Sequence, residues 1–416
     1  MGSPIHLEFW HSMTGGKGAL TQSIVNDFNQ LPANKGKIEV SPQFVGTYEE
    51  GLNKLRTALL AKRGPHIAQV TDIGTQVMID SGAIRPIADF IKEDPEFPYD
   101  ELLSPIRRYY EVRGRLYSLP FATSTPVVYY NEDAFKRVGL TRAPVTFEEL
   151  KAYSRKLTDV NLRTTGITWP LHSWFFEQFL AQQGKDLVNH GNGRDGRATE
   201  SNLFIPEAID FVSLWDGMVR EGTFANVGRG WEPAEQNFLA SRSAMLITST
   251  SDVFDILEKA SFKVKTAAMP RKDPSVKGGA IVGGNSLWIL STKPPAEQRA
   301  AYEFLKFMAS KAVQRKWHMG TGYFPIRKDV IADLDREGFY VKFPAARTAI
   351  TQLEASPQMN ATSGALIGNF AEVREAIETA IEKVIARMLD APTALGEAKA
   401  ETDRALARYN RSRGEN

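Results

Sequence analysis

The chain has 416 residues, more than one ordinary hydrophobic core accommodates, so two lobes are expected. Its 51 Lys and Arg against 49 Asp and Glu leave a net charge of +2, and no block of like charge points to a nucleic-acid or membrane-surface partner. The absence of cysteine excludes disulfides, thiolate chemistry and cysteine-ligated zinc, and no apolar run approaches the roughly 20 residues that span a bilayer.

The start, Met1-Gly2-Ser3-Pro4, has neither a basic nor an apolar segment and reads as a remnant where a secretory signal was removed. Ile5, Leu7 and Phe9 alternate with polar neighbours, which predicts a strand. Leu20, Ile24, Val25, Phe28 and Leu31 then fall at helical spacing. A second strand is expected at Ile38, Val40 and Phe44-Val45, a helix at Leu52, Leu55, Leu59 and Leu60, and a third strand from Ile67 to Val70. This alternation predicts a largely parallel sheet with ligands at the carboxyl ends of its strands.

Leu119 to Leu140 is the most informative stretch. A Pro and three hydroxyl residues (Thr123, Ser124, Thr125) lead into an apolar strand, Val127 to Tyr130. Asn131 is the N-cap candidate of a short helix that ends at Gly139. Helices are expected near Thr146 to Tyr153 and Pro206 to Val219, and an exposed loop from Gly184 to Thr199. Ile281 to Leu290 reads as a strand broken by Gly283-Gly284. Val373, Ile377, Ile381, Val384 and Met388 stripe a helix at the C-terminus.

Gly15-Gly16-Lys17-Gly18 fails the phosphate-loop pattern, because Lys17 is followed by Gly18, so a flexible turn is expected and no nucleotide is implied. The six histidines are scattered without metal-ligand spacing, and no GxSxG elbow occurs; neither a metal, a cofactor nor a catalytic residue is expected. Aromatic residues gather at element junctions: Trp10, Tyr48, Trp169, Trp174 and Tyr323. Most tryptophans in such a chain are core, but at junctions they also suit stacking on a polyol. Gly283-Gly284 permits close approach to the backbone. Arg374, one position from the apolar stripe, is either a surface residue or, if buried, an anion site.

In order along the chain stand Phe9-Trp10-His11-Ser12-Met13, Gly46-Thr47-Tyr48-Glu49, Gln69 to Thr75, Pro120 to Gly139, Ala244-Met245, Gly283 to Trp288, Thr321 to Ile326, and Gly368-Asn369 with Arg374. Together these motifs resemble the glycerol-3-phosphate-binding proteins of Ugp-type ABC importers over nearly the whole chain. The resemblance implies an α/β, two-lobe periplasmic-binding-protein fold, each lobe a mixed sheet flanked by helices, with a ligand cleft between lobes that closes without chemistry. It places residues 5–123 and 281–325 in one lobe, and 124–280 and 326–416 in the other. Carried over position by position, Tyr48, Asp72 and Ser124 would bond a glycerol unit. Ser249, Gly284, Tyr323 and Arg374 would meet a phosphate, and Trp174 would pack on the glycerol backbone.

Two departures from the family pattern stand out. Asp72 replaces a longer Glu, so one contact lengthens or passes through water. Leu171 replaces a second tryptophan three residues before Trp174, which opens a wall and moves weight toward glycerophosphodiesters such as glycerophosphocholine, with Trp169 as the nearest aromatic for the choline cation. The resemblance further implies a monomer outside the cytoplasm, in the periplasm, delivering its ligand to transmembrane permease subunits. Arg374→Ala is expected to cost binding and little stability. An oligosaccharide receptor of the same fold, or a glycerophosphodiester-processing enzyme, stands as the alternative.

Overall fold

A computed structural model describes residues 3–414, so Met1 and Gly2 of the expected remnant lie outside the described residues. The chain divides into two compact units. Unit one holds the chain up to Ser124 and then Val282–Phe339; unit two holds Thr125–Ile281 and the chain from Tyr340 onward. The last crossing therefore falls at Phe339, not at 325 as the sequence suggested. The cause is local: Leu103 N–H donates to the Ile326 carbonyl at 2.8 Å, and Leu102 bridges Arg327. These bonds keep the following helix, Lys328–Arg336, with unit one.

Unit one is built on a mixed six-stranded sheet. Ile5–His11 lies between Ile38–Phe44 and Ile67–Thr71, all parallel. The late strand Gly283–Leu290 then pairs antiparallel with Ile67–Thr71, Ile84–Arg85 and Leu119–Ser124. The alternation read in the sequence gave the parallel strands, but the antiparallel insertion comes from a segment more than 150 positions away and has no local signal. Helix Gly15–Gln30 buries Ile24, Val25 and Phe28, and Phe28 meets Phe304 edge-on at 5.1 Å. Leu55, Ala68, Val70, Met78, Trp288 and Leu290 form a second packed cluster. Gly15 to Gly18 is the first turn of that opening helix, not a flexible turn.

The sheet carries one irregularity. The register of Gly283–Leu290 on Leu119–Ser124 shifts between Gly284 and Ser286. Gly284 has φ +115°, and a Cβ there would stand 1.8 Å from the Ala122 carbonyl oxygen. Only glycine fits at this position, beside a bulge whose extra residue lies on Leu119–Ser124, where Phe121 and Ala122 together stand against Asn285.

Unit two has a four-stranded sheet in the order Val264–Ala267, Pro126–Asn131, Ser243–Ser249, Thr165–Thr168, the last pair parallel and the others antiparallel. Asn131 Oδ1 accepts the Ala134 N–H at 3.0 Å and caps Glu132–Arg137, as its side chain predicts. Helix Phe370–Ile385 buries Val373, Ile377, Ile381 and Val384. Met388 instead lies beyond the helix end and is 70% exposed, because Arg387 turns to φ +61°. A further helix, Ala391–Ser412, packs against this one and has no counterpart in the sequence expectations. Among the described residues, no helix is long and apolar enough to cross a membrane.

Gly284→Ala should destabilise the protein by at least about 2 kcal/mol, since it adds the strain of positive φ to a clash with backbone. Chemical denaturation of the two proteins measures the difference. Equal midpoints would show that the bulge relaxes freely.

Candidate functional site

In unit one, Tyr48 is the first residue of helix Tyr48–Leu60. A capping box fixes that start: Glu50 N–H donates to Thr47 Oγ1 at 3.3 Å, and Thr47 N–H donates to Glu50 Oε2 at 2.7 Å. The Tyr48 hydroxyl then accepts from Asn285 Nδ2 at 2.9 Å and also bonds the Tyr323 side chain. Burial, with Tyr323 close by, holds its phenol well above the usual range. Asn285 is fully buried, and its Oδ1 accepts the Ala122 N–H at 3.4 Å.

Tyr323 follows helix Lys311–Thr321. Its ring stacks on Trp317 at 5.7 Å, and Lys17 Nζ stands 5.1 Å from its centroid. His318 Nδ1 bonds the Tyr323 carbonyl at 2.7 Å, and burial lowers that imidazole to about 4. Asp72 is 6% exposed in a short turn, with Thr71 Oγ1 donating to its Oδ1 at 3.0 Å. Ser124 closes the strand that faces Gly284. Tyr48, Tyr323 and Asn285 thus form one hydrogen-bonded group.

In unit two, Ser249 ends its strand, with Oγ accepting the Ser251 N–H at 3.1 Å and donating to Ser251 Oγ at 3.0 Å. The Tyr129 hydroxyl donates to its carbonyl at 2.7 Å. Trp174 lies in the first turn of helix Ser173–Gln182, capped by His172, whose Nδ1 accepts the Trp174 N–H at 3.0 Å. Trp231 stands beside both, its ring 5.6 Å from Trp174 and 5.2 Å from His172. Leu171 is buried, and its N–H donates to the Gly228 carbonyl at 2.8 Å.

Trp169 does not join this group. It is 1% exposed and packs on Phe224 at 4.5 Å and Trp215 at 5.1 Å, so it belongs to the core. The sequence placed it correctly at a junction but could not show which way the ring turns.

Arg374 is enclosed and ion-paired. Its Nε and Nη2 donate to Glu177 at 3.0 and 3.2 Å, and both side chains are largely buried. Glu177 also accepts from Ser173 Oγ at 3.0 Å, and Glu378 accepts the Ser173 N–H at 2.9 Å. Arg229 donates to Glu375, Glu378 and Glu382. Burial, then the charges of Arg374 and Arg229, lower His172 to about 3. Asn285, Glu177 and Trp231 escaped the sequence reading. A polar residue inside an apolar strand was the one available signal, at Asn285.

Among the described residues, no group of three or more His, Asp or Glu side chains is arranged to hold a metal ion. The two groups offer hydroxyls, an amide, guanidiniums matched by carboxylates and flat apolar faces, the kinds of group that line sites for small polar molecules.

His172 and His318 are held neutral, far below their ordinary value near 6.5. Between that value and about 4, the unfolded chain takes up protons that the folded one refuses, so stability is greatest above pH 6.5 and falls as pH drops. Denaturation at pH 7 and pH 5 should show this loss, in a window above the range where carboxylates such as Glu132, at about 2, are protonated. His172→Asn, which can still cap the helix, should flatten the slope. An unchanged slope would mean that His172 is protonated in the fold.

A model of the bacterial extracellular solute-binding protein family matches residues 23–346. The chain is 33% identical to the sn-glycerol-3-phosphate-binding periplasmic protein UgpB of Escherichia coli K12, over 98% of this chain and 93% of that one. It is 32% identical to the protein of the same name from Pectobacterium atrosepticum, over 98% and 92%. Among solved structures, UgpB from Mycobacterium tuberculosis in complex with glycerophosphocholine aligns with a TM-score of 0.81 at 20% identity, over 99% of this chain and 100% of that one. The sugar-binding protein MalE from Xanthomonas citri aligns at 0.80 and 19%, over 97% and 98%. At these identities the structural likeness concerns the fold, which is that of two-lobe solute-binding proteins.

Proposed function

We propose that this chain, which belongs to the bacterial extracellular solute-binding protein family, captures glycerol 3-phosphate or glycerophosphodiesters for an ABC importer. It would act outside the cytoplasm, as a monomer, and hand its ligand unchanged to permease subunits. The chemistry of the two residue groups carries the proposal. Unit one links the hydroxyls of Tyr48 and Tyr323 with the Asn285 amide and also carries the buried Asp72 carboxylate, groups that suit a polyol. Unit two holds Ser249 and the enclosed guanidinium of Arg374, which suits a phosphate that keeps its charge on losing water. In this reading Tyr48, Asp72 and Ser124 bond the glycerol unit, and Ser249, the Gly284 N–H, Tyr323 and Arg374 bond the phosphate.

Leu171 in place of a tryptophan favours the diester. With Trp169 in the core, the aromatic partners for a choline cation become Trp174 and Trp231, whose rings stand 5.6 Å apart. Calorimetric titration with glycerol 3-phosphate, glycerophosphocholine and maltose tests the proposal. The diester should bind at least as well as the monoester, maltose should not bind, and neither glycerol 3-phosphate nor choline should be released from the diester. Leu171→Trp should reverse the order. Tight binding of maltose alone would replace the proposal with a sugar receptor.

The ion pair changes the expectation for Arg374→Ala. Losing a charge-assisted bond to a desolvated anion should cost about 2–5 kcal/mol of binding. The same change uncovers the buried Glu177 carboxylate, so the ligand-free protein should also lose stability, contrary to what sequence alone suggested. Adding Glu177→Gln should restore much of the stability and none of the binding. Full affinity in the double variant would place the anion elsewhere.

A further inference from the structure

The four-stranded sheet of unit two ends on one side at Val264–Ala267, which among the described residues pairs only with Pro126–Asn131. The Glu132 N–H donates to the Lys263 carbonyl at 2.9 Å, and antiparallel alternation then gives the backbone groups of Lys265 and Ala267 to that neighbour. The N–H and carbonyl of Val264 and Thr266 point the other way, toward the free edge. Such an edge is a template for a further strand.

A groove of about 730 Å³ lies along it. Four consecutive residues, Lys263 to Thr266, line this groove, and their side chains alternate between the two faces of the sheet, so it runs round the edge itself. On the Val264 face, Thr266 Oγ1 donates to Thr348 Oγ1 at 2.8 Å, which sets Phe343 and Pro344 there. With Leu257 they give the groove an apolar floor, and Val341, 86% exposed, stands at its rim.

Its charge has one sign. Lys263, Lys265 and Lys342 line the groove, and no carboxylate does. Glu132 meets Lys263 at 3.0 Å and Lys265 at 2.6 Å, but Lys136 shares it at 3.4 Å, so one carboxylate stands against three ammonium groups. Lys342 lies over the Phe343 ring at 5.3 Å, and no described carboxylate pairs with it. Lysines on an edge commonly guard it against association, and here they do refuse a second copy, whose own lysines would face them. A strand with carboxylates at every second position is not refused. Its acids meet the surplus charge, and the apolar residues between them reach Leu257 and Phe343. We propose that the free edge of Val264–Ala267 docks an extended segment of a partner protein, alternating acidic and apolar, which adds to the sheet as a further strand. The assignment does not depend on the functional reading above.

The capped peptide Glu-Val-Glu-Val-Glu-Val-Glu, titrated into the full chain and followed by backbone amide NMR, tests it. Shifts should gather at residues 263–266 and 341–348, and binding should weaken as salt rises. The same peptide with Lys for Glu should not bind. Methylating the amide nitrogens of the valines, or instead those of the glutamates, should abolish binding in one case and spare it in the other, since only alternate N–H groups would face the edge. Val264→Pro removes an outward N–H, a change that edge strands tolerate, and should abolish binding while the unfolding midpoint nearly holds. Lys342→Glu breaks no described ion pair and should weaken binding about 3–10-fold. No binding at millimolar peptide, shifts centred elsewhere, or equal binding by both methylated forms would each overturn the proposal. If decanoate, an amphipathic anion without amides, occupies the groove and the peptide does not, the site takes a fatty anion and the strand reading falls.

Discussion

The unit-one group is organised by one fully buried amide, that of Asn285. An amide in such a place costs about 1–3 kcal/mol for each bond it fails to make, so its partners are held firmly. One end ties the edge of Leu119–Ser124 through Ala122, and the other fixes the Tyr48 hydroxyl. The pairing of Gly284 with Thr123 sets Asn285 alongside Ala122, and the register shifts only between there and Ser286. Tyr48 is thereby oriented before any ligand arrives, and little side-chain freedom remains to be lost on binding.

Unit two uses charge where unit one uses neutral hydrogen bonds. Arg374 and Arg229 are each matched by carboxylates on facing elements, and Glu378 sits at the N-terminus of helix Ser173–Gln182, where backbone N–H groups favour an anion. Such a network resists the loss of any one member, since the partner left behind is a buried, unpaired charge. His172 stays neutral here chiefly because it is buried, and the charges of Arg374 and Arg229 add to that effect. An anion bound at Arg374 would share the guanidinium with Glu177, so its affinity depends on how far that carboxylate yields.

Local elements were legible because their causes are local. Asn131 as a cap, Tyr48 at a helix start, and the stripe from Val373 to Val384 each follow from neighbours within a turn or two. The stripe misled only at Met388, where the backbone leaves the helix at Arg387 for no reason that periodicity records. The helix Ala391–Ser412 was missed because small residues dominate its buried face, and alanine marks helix propensity without marking which side is core.

The candidate site is made of long-range bonds, and those were not legible. Asn285 meets Tyr48 across 237 positions, and Arg374 meets Glu177 across 197. Family resemblance supplied the positions of Tyr48 and Arg374, but not the groups that hold them. Trp169 and Trp231 show the same limit for aromatics. Both stand at element boundaries, and nothing in either local sequence separates them. The first turns inward onto Trp215 and Phe224, while the second lies against Trp174 and His172 at the start of its helix. Which ring is sealed in the core and which stays half-buried beside Trp174 is settled by the packing of helices distant in sequence, so residue type and spacing alone give the two equal standing.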